Sequence, residues 1–445
     1  MLLTIEKMIY GGDGLSRLPA DEKGRGKAVF VPFVLPEEKI EASLTEQKAG
    51  FARARADKIA EPSSSRVEPR CPYFGRCGGC QYQHATYDQQ LKIKEQILRE
   101  TLQRTAKLEL KDEIQVHPSP PWNYRNRSRF QIRSTPEFAI GYFKFGSHEV
   151  LAVEQCPISS PLINRAVGVI WRIGREGKVP PGVVEVECFA NAGDSELLVE
   201  VWCDATARRA AVRGFAEELR AAMPEIVGVV AFRPEESSRP ATHQNQRFLT
   251  VGTDHLLYKT EGASYRVSAG SFFQTNRYLT DELVQIVTHS QSGKLALDLY
   301  AGVGLFSTAL SDFHHTVSVE MSQTSSADLA YNRSSNGEAV QASTEQYLAR
   351  AEHSGRVGKG AVLPHIPYRP DLAVVDPPRS GLGERVAQLL ANLGAPRVHY
   401  VSCDPATLAR DLVVLLAAGY KVDQVHLVDL FPQTFHLESV ILLSR

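Results

Sequence analysis

The strongest constraint on the fold is an alternation, in the last third of the chain, between short apolar runs and segments compatible with helices. The runs lie in KLALDLYAGVGLFSTAL, HTVSVE, DLAVVDPPRSG, RVHYVSCDP and VDQVHLVDLFPQTFHLESVILLSR. Strands that alternate with helices predict a parallel, doubly wound sheet whose ligand lies at the carboxyl ends of the strands. The last two runs are joined by a short loop, which predicts an antiparallel hairpin at the sheet edge.

The rest of the chain predicts further domains, because 445 residues exceed what one hydrophobic core organises. Residues 1 to about 60 combine the turn-rich GGDGLSR with short strands, which predicts a compact five-stranded barrel. From Tyr87 to about Leu108, leucine and isoleucine recur at helical spacing without proline or glycine, which predicts a helix. From about Asp112 to Ser268, strands and helices alternate without a readable motif.

Charge and hydropathy limit the classes of partner and the compartment. The formal net charge is −1, so a nucleic acid would have to be held by local basic patches such as Phe51–Arg70 and Trp122–Arg133. A solvated strand face is the alternative interpretation of these patches. Glu6 and Lys7 interrupt the N-terminus where a secretory signal would be apolar, and the longest apolar run, LVVLLAAGY, is far shorter than the ~20 residues that span a bilayer. These features predict a cytoplasmic protein with reduced thiols.

A glycine turn follows the first strand of the predicted parallel sheet. LDLYAGVGLF places Asp298 at the strand end and Gly302 and Gly304 in the turn, where a ligand can approach the backbone. Ser307 stands where a dinucleotide-binding turn has its third glycine, which disfavours NAD. Glu320 ends the next strand, where a carboxylate can bind two ribose hydroxyls. An adenosine cofactor without phosphates indicates S-adenosylmethionine; the alternative is a tight turn with an ordinary acidic residue nearby.

Four cysteines form a candidate metal site. CPYFGRCGGC has the spacing C-x5-C-x2-C, and EQCPIS offers a fourth thiol. The members of this cysteine group are Cys71, Cys77, Cys80 and Cys156. Four thiolates suit either a zinc ion or an iron–sulfur cluster, and the glycines of the loop slightly favour the bulkier cluster. A closed site of this kind predicts a structural or RNA-positioning role. Cys188 and Cys203 alternate with apolar neighbours, as core residues of strands do.

A seventh cysteine, Cys403, ends an apolar run and is followed by Asp404 and Pro405. Turn residues around a thiol indicate reactivity, with a packed cysteine as the alternative. Asp376, before two prolines that predict a stiff loop, and Glu438 should lie at the same sheet edge. A thiolate that adds to carbon 6 of uracil makes carbon 5 nucleophilic toward a sulfonium methyl group, and a base then removes the carbon 5 proton. Cys403 and Glu438 supply the thiol and the base.

Several motifs together carry a family resemblance. SFFQTN, DLYAGVG, DPPRSG, SCDPATLARDL and DLFPQTFHLE resemble the successive motifs of the RNA uracil-5-methyltransferases. CPYFGRCGGCQYQH with Cys156 resembles the [4Fe–4S] loop of the bacterial 23S ribosomal RNA branch, and GGDGLSR with FVPFVLPEEKIEA is similar to the TRAM barrel found there. The resemblance covers nearly the whole chain and is weakest between about Ser160 and Arg247.

The resemblance implies a multidomain α/β protein. Its parts would be an N-terminal OB-like TRAM β-barrel, a central α+β domain with the iron–sulfur loop, and a C-terminal Rossmann-like class I methyltransferase domain. The expected boundaries are 1–60 for the RNA-binding barrel, 61–86 for the cysteine loop, 87–110 for a helix packed on the catalytic domain, 111–268 for the central RNA-binding domain and 269–445 for the methyltransferase domain.

The resemblance also implies roles for individual residues. Cys403 would be the nucleophile and Glu438 the base that takes the carbon 5 proton. The S-adenosylmethionine contacts would be Gln274, Tyr300, Glu320 and Asp376. The cysteine group would hold a [4Fe–4S] cluster, and the arginines of WNYRNRSRF would hold phosphates or stacked bases. The product would be 5-methyluridine in 23S ribosomal RNA, made by a monomer with no DNA or membrane partner.

The sequence departs from the family pattern at three positions, and three other functions are compatible with it. Ala301 stands where relatives often have cysteine, Leu305 replaces a polar residue, and Ser343 stands where Asn or Asp usually meets the adenosine. The same chemistry on transfer RNA is the first alternative. The second is an RNA-binding or redox-sensing module with an inactive methyltransferase domain, and the third is a DNA or amino-group methyltransferase, which would not need Cys403.

Overall fold

The computed structural model describes residues 1–19, 26–110, 112–234, 245–356 and 369–445. In these ranges the strands form three sheets and a separate hairpin, and helices cover the two larger sheets. The mixed α/β class predicted from the sequence is confirmed. None of the helices in the described chain combines the length and the apolar character that crossing a membrane requires.

The N-terminal sheet contains six described strands, so the prediction of five is wrong. They are β1 Leu2–Thr4, β2 Lys7–Met8, β3 Asp13–Arg17, β4 Ala28–Pro32, β5 Lys39–Gln47 and β6 Phe51–Glu61. The extra strand arises because the first strand breaks at Ile5 and Glu6, whose N–H groups donate to Glu38 O (2.9 Å) and Leu15 O (2.8 Å). Since β1 pairs with β5 and β2 pairs with β3, the N-terminal segment joins both edges and curls the sheet.

The helix predicted after the cysteine loop is α1, Tyr87–Ala106. Its apolar face, which includes Ile97, is buried in the same core as Leu412 of the C-terminal part of the chain. The helix ends at Lys107, whose left-handed φ of 55° turns the backbone out of the helix. A three-residue strand, β7 Gln115–His117, follows.

The central sheet has seven described strands and two helices on one face. They are β8 Arg127–Arg133, β9 Ala139–Phe143, β10 Val150–Ala152, α2 Pro161–Arg175, β11 Val183–Ala190, β12 Leu197–Cys203, α3 Arg209–Ala222, β13 Ile226–Pro234 and β14 Asn245–Gly252. The strand order is β10-β9-β8-β11-β12-β13-β14. Cys188 and Cys203 are buried in this core, as their apolar neighbours predict. A hairpin of β15 His255–Lys259 and β16 Ser264–Ser268 packs on the other face.

The C-terminal sheet is doubly wound. Its elements are α4 Thr280–Thr288, β17 Gly293–Leu299, β18 Phe313–Glu320, α5 Gln323–Asn332, β19 Gly337–Gln341, α6 Thr344–Arg356, β20 Leu372–Val375, α7 Gly383–Leu393, β21 Arg397–Ser402, α8 Pro405–Ala417, β22 Lys421–Val428 and β23 Glu438–Ser444. A single turn of 3-10 helix at Ser307–Ala309 follows the glycine turn. The strand order is β19-β18-β17-β20-β21-β23-β22-β7.

The pairing of this sheet determines where the site lies. Strands β19, β18, β17, β20 and β21 are parallel, so their carboxyl ends share one edge. Strand β23 lies between β21 and β22 and is antiparallel to both, which confirms the predicted hairpin. The hairpin is not the edge of the sheet, however, because β7 pairs in parallel with β22.

Candidate active site

Strand register brings Cys403 and Glu438 together. In the antiparallel pair of β21 and β23, Ser402 is paired with Ser439. Cys403 directly follows Ser402, and Glu438 directly precedes Ser439, so Cys403 and Glu438 stand opposite each other. Asp376 follows β20, the neighbour of β21 in the sheet, so its carboxyl group lies at the same edge. The structure thus places a thiol between two carboxyl groups, as the sequence predicts.

The two carboxyl groups and the guanidinium group of Arg379 are all close enough to Cys403 to shift the pKa of its thiol. Burial, and after it the charges of Glu438 and Asp376, raise the pKa of the Cys403 thiol to about 12, while the charge of Arg379 acts in the opposite direction. Burial and then Asp376 raise the pKa of Glu438 well above its ordinary value. Burial raises the pKa of Asp376 to about 7, and the nearby Asp298 adds to the shift. The pKa of Asp376 lies near neutrality, so this carboxyl group can exchange protons there, as general acid–base catalysis requires.

The glycine turn and Glu320 form the second half of the edge. Tyr300, directly after β17, has a left-handed φ of 62°, which is uncommon for a tyrosine and typical of functional sites. Glu320 accepts a hydrogen bond from Gly302 N–H at 3.0 Å and another from Ser322 N–H at 2.7 Å. Apart from Gly302 and its two neighbours in the sequence, no heavy atom of the described chain lies within 4 Å of the place that a Cβ on residue 302 would occupy. The turn is therefore open to a ligand beside a fixed carboxylate, which fits an adenosine cofactor.

Asp298 holds the backbone that follows the glycine turn. It is fully buried, and its Oδ2 accepts a hydrogen bond from Ser307 N–H at 3.0 Å. Its Oδ1 has no hydrogen-bond partner among the described residues. Burial raises the pKa of this carboxyl group to about 7.

Gln274 lies in a loop that connects the central domain to the C-terminal sheet. The loop is tied down on both sides: Ser271 Oγ donates to Asp328 of α5 at 2.8 Å, and Asn276 Nδ2 donates to Leu430 O at 3.1 Å. Gln274 itself is 8% exposed. The structure therefore fixes the loop that carries Gln274, and the group that Gln274 binds stays a prediction.

The arginines of WNYRNRSRF do not all face solvent. Arg127 is ion-paired with Glu187 and with Glu200, and its side chain is 11% exposed. Arg129 pairs with Glu185 and Glu187 but keeps a side chain that is about half exposed. The prediction that these arginines hold RNA phosphates or bases is therefore wrong for Arg127, because internal carboxylates use its charge.

The structure brings the thiols of the cysteine group into one neighbourhood. Burial raises the pKa of Cys77 to about 11, and Cys156 and Cys71 add to the shift. Burial also raises the pKa of Cys80, with a further contribution from Cys156. Nevertheless, within the described residues no three His, Cys, Asp or Glu side chains are arranged so that they could hold a metal ion. The four thiols are close enough to affect one another, and their metal stays a prediction.

Three residues of the site were not predicted from the sequence. Arg379, in DPPRSG, lies 3.4 Å from His436 Nδ1 through its Nη2 atom. Burial lowers the pKa of His436 to about 3, with Arg379 adding to the shift, so this imidazole is neutral near pH 7. Tyr10 donates from its hydroxyl group to Cys403 O at 3.2 Å. Arg379 and His436 lie inside the quoted motifs and could have been found there, whereas no sequence signal links residue 10 to residue 403.

A doubly wound sheet with an open glycine turn, a carboxylate fixed beside that turn and a thiol opposite a carboxyl group is the arrangement that the sequence analysis expects of a methyltransferase that uses S-adenosylmethionine. Residues 86–445 match the family model described as tRNA (Uracil-5-)-methyltransferase. The chain therefore belongs to the RNA uracil-5-methyltransferase family.

Relatives agree with this assignment, and a solved structure shares the fold. An uncharacterized RNA methyltransferase of Aquifex aeolicus is 34% identical over 99% of this chain and 98% of its own length. The 23S rRNA (uracil(1939)-C(5))-methyltransferase RlmD of Vibrio parahaemolyticus is 30% identical over 100% of this chain and 95% of its own length. The Pyrococcus abyssi tRNA (uracil-54, C5)-methyltransferase, solved with S-adenosyl-L-homocysteine, aligns over 100% of both chains with a TM-score of 0.73 and 22% identity, which shows a shared fold.

Proposed function

We propose that this protein transfers a methyl group from S-adenosylmethionine to carbon 5 of a uridine in 23S ribosomal RNA, through a covalent bond between Cys403 and carbon 6 of the uracil. The observation that supports the proposal most strongly is the register of β21 and β23, whose pair Ser402–Ser439 brings the adjoining Cys403 and Glu438 to one end of the two strands, where the charge of Glu438 acts on the Cys403 thiol. A nucleophile and a base on opposite sides of one pocket are what this chemistry requires.

The residues would act in a fixed order. The partly exposed Cys403 thiol first loses its proton to water, and its sulfur then forms a bond to carbon 6, which leaves carbon 5 electron-rich. S-adenosylmethionine supplies an electrophilic methyl group on a sulfonium ion. As carbon 5 bonds to the methyl group, the bond between that methyl group and the sulfonium sulfur would break and leave S-adenosylhomocysteine. Glu438, as the carboxylate, then takes the carbon 5 proton, and the released electron pair restores the ring double bond and expels the Cys403 thiolate. Arg379 favours the thiolate, because its charge lowers the pKa of Cys403.

The cofactor would bind along the glycine turn. We assign Glu320 to the ribose hydroxyl groups, because its carboxylate is held in place by Gly302 and Ser322 N–H beside open space. Tyr300 would line the adenosine site from its left-handed position after β17. Gln274 and Asp376 would complete the cofactor and uracil contacts from either side of the pocket.

The choice of 23S ribosomal RNA is supported by the Vibrio relative, whose name specifies that substrate and which aligns over the full chain. Transfer RNA is the second candidate, because the description of the family model names it. We also propose that the N-terminal TRAM-like sheet and the central domain bind the RNA, and that the protein works as a monomer in the cytoplasm. The nearness of the Cys403 thiol to the Glu438 and Asp376 carboxyl groups supports an active enzyme over an inactive binding module.

We further propose that the cysteine group holds a [4Fe–4S] cluster with a structural role. The C-x5-C-x2-C spacing supports this assignment, as does the mutual effect of the thiols on their pKa values. Burial raises the pKa values of Cys71, Cys77 and Cys80 and so disfavours their free thiolates, which a bound cation would have to compensate for. Iron analysis and visible absorbance of the purified protein would distinguish the cluster from zinc.

The function is tested by nucleoside mass spectrometry on unmodified 23S ribosomal RNA and transfer RNA, each incubated with S-adenosylmethionine. We expect 5-methyluridine in ribosomal RNA with the native chain and none with Cys403→Ala. Cys188→Ala, which removes a buried thiol remote from the pocket, is the matched control and should keep activity. Product only in transfer RNA would reverse the substrate assignment, and undiminished product from Cys403→Ala would refute the covalent mechanism.

A further inference from the structure

One side chain of the N-terminal sheet reaches the catalytic loop. Tyr10 lies in the turn between β2 and β3, and its hydroxyl group donates a hydrogen bond to the backbone oxygen of Cys403 at 3.2 Å. The donor and the acceptor are 393 positions apart in the sequence. Tyr10 also lies outside residues 86–445, the segment that matches the family model.

The same ring contacts the loop that leads to the proposed base. Tyr10 and Phe435 meet edge to face, with ring centroids 5.5 Å apart and an interplanar angle of 86°. Phe435 lies three residues before Glu438, and its N–H donates to Gln81 Oε1 at 3.3 Å. Tyr10 is therefore in contact both with the backbone that carries the nucleophile and with the loop that carries the base.

The turn that holds Tyr10 is itself fixed. Ile9 N–H donates to Asp13 O at 2.9 Å, and Gly12 N–H donates to Ile9 O at 3.2 Å. Gly12 has a φ of 93°, and a Cβ at this position would lie 2.9 Å from Gln81 Cβ. Only glycine allows so close an approach, so the turn is pressed against the segment beside the catalytic loops and Tyr10 has little freedom to move.

The hydrogen bond from Tyr10 acts on the Cys403 carbonyl group, which lies just before the start of α8. Asp404 begins α8 by accepting hydrogen bonds from Ala406 and Thr407 N–H through its side chain, and its own N–H donates to Ser402 Oγ at 3.3 Å. These contacts hold the residues on both sides of Cys403, and Tyr10 holds the carbonyl group of Cys403 itself. A rotation of this peptide would move the thiol, and misplacement of a reacting atom by 1 Å can cost about a hundredfold in rate.

We infer that Tyr10 is a positioning residue, which fixes the Cys403 backbone so that the thiol faces carbon 6 of the uracil. The inference rests on the proposed function, because it concerns the geometry of the nucleophile. It gives the N-terminal sheet a part in catalysis in addition to any part in binding RNA.

The test compares Tyr10→Phe, which removes only the hydroxyl group, with Tyr420→Phe. The Tyr420 hydroxyl also donates to a backbone oxygen, Ala395 O at 2.7 Å, in the same domain but away from the pocket. We expect Tyr10→Phe to lower kcat about tenfold, with unchanged KM for RNA and S-adenosylmethionine, and Tyr420→Phe to leave kcat unchanged. Formation of the covalent adduct with 5-fluorouridine RNA, which cannot lose a carbon 5 proton, should slow by the same factor.

Other results would overturn the inference. These are an unchanged kcat in Tyr10→Phe, an equal loss of kcat in the Tyr420→Phe control, or a higher KM for RNA at constant kcat. The melting temperatures of both variants distinguish a positioning role from a structural one. If Tyr10 only stabilised the fold, Tyr10→Phe would lower the melting temperature together with the activity. A native chain that gives neither product nor adduct would overturn the proposed function, and this inference with it, whereas an active native chain with an equally active Tyr10→Phe would overturn this inference alone.

Discussion

The protein contains two sulfur sites, and they are built in different ways. Cys403 is placed by the register of two strands, and its neighbours are two carboxyl groups and the Arg379 guanidinium group. The cysteine group lies in loops, and the charges that affect its thiols are mainly those of other cysteines in the group. Carboxyl groups beside a thiol allow proton transfer, whereas thiols beside thiols suit a shared ligand. The surroundings of a cysteine are therefore more informative about its role than its burial.

The two sites are nevertheless linked. Directly after Cys80, the N–H groups of Gln81 and Tyr82 both donate to Gln433 O, at 3.1 and 2.9 Å, in the loop before Glu438. Gln433 also exchanges two hydrogen bonds with Gln90 of α1. The cysteine group is thus joined to the catalytic loop through the two residues that follow Cys80. Substitutions in the cysteine group should therefore affect catalysis weakly and stability more strongly.

The largest expected effect is that of Glu438→Gln. Removing the base should lower turnover by about 10²–10⁴-fold, because general base catalysis contributes on that scale. The adduct with Cys403 should still form, since its formation does not use the base, and should appear as a protein–RNA complex that survives denaturing electrophoresis. Glu384→Gln, at an exposed glutamate on α7, is the control and should remain fully active. Loss of the adduct together with turnover would argue against Glu438 as the base.

The next effect concerns a buried ion pair that supports the catalytic loop. Lys94 of α1 lies 2.6 Å from Asp429, and both side chains are completely buried. Lys94→Met should lower the free energy of unfolding by about 3–5 kcal/mol, because it leaves Asp429 as a buried, unpaired charge. The double variant Lys94→Met/Asp429→Leu should recover most of this loss in equilibrium urea unfolding. A double variant as unstable as the single one would show that the pair is not the cause.

Cys80→Ala tests the cysteine group directly. If the group holds a cluster, this variant should lose iron and visible absorbance and unfold at a lower temperature. It should retain kcat within about tenfold of the native chain, because the group is joined to the catalytic loop indirectly, through hydrogen bonds of Gln81 and Tyr82 with Gln433 and Phe435. Cys188→Ala also removes a buried thiol, so it serves as the control and should keep its metal content. Full iron content in Cys80→Ala would exclude Cys80 as a ligand, and loss of activity as complete as in Glu438→Gln would contradict the separation of the two sites.

Features that depend on residues close together in the sequence could be predicted, whereas features that depend on residues far apart in the sequence could not. The parallel sheet, its glycine turn and the final hairpin follow from local apolar patterns, and the meeting of Cys403 with Glu438 follows from the sheet edge. Strand β7 was not predicted, because three residues carry little pattern and their partner strand is about 300 positions away. The charge of Arg127 was assigned to RNA because a sequence shows charged residues but not their partners.

The smallest expected effect is that of Arg379 on the Cys403 thiol. The thiol pKa is raised to about 12, mainly by burial, and Arg379 opposes the shift. The thiolate fraction, and hence alkylation of Cys403 by iodoacetamide, should therefore increase continuously from pH 7 to 10 without a plateau. Arg379→Gln should raise the thiol pKa further, so alkylation at a given pH should be several-fold slower. Arg385→Gln, an arginine of α7 that pairs with Glu352 instead, controls for net charge. Alkylation of Arg379→Gln at the native rate would show that burial and the two carboxyl groups alone determine the reactivity of Cys403.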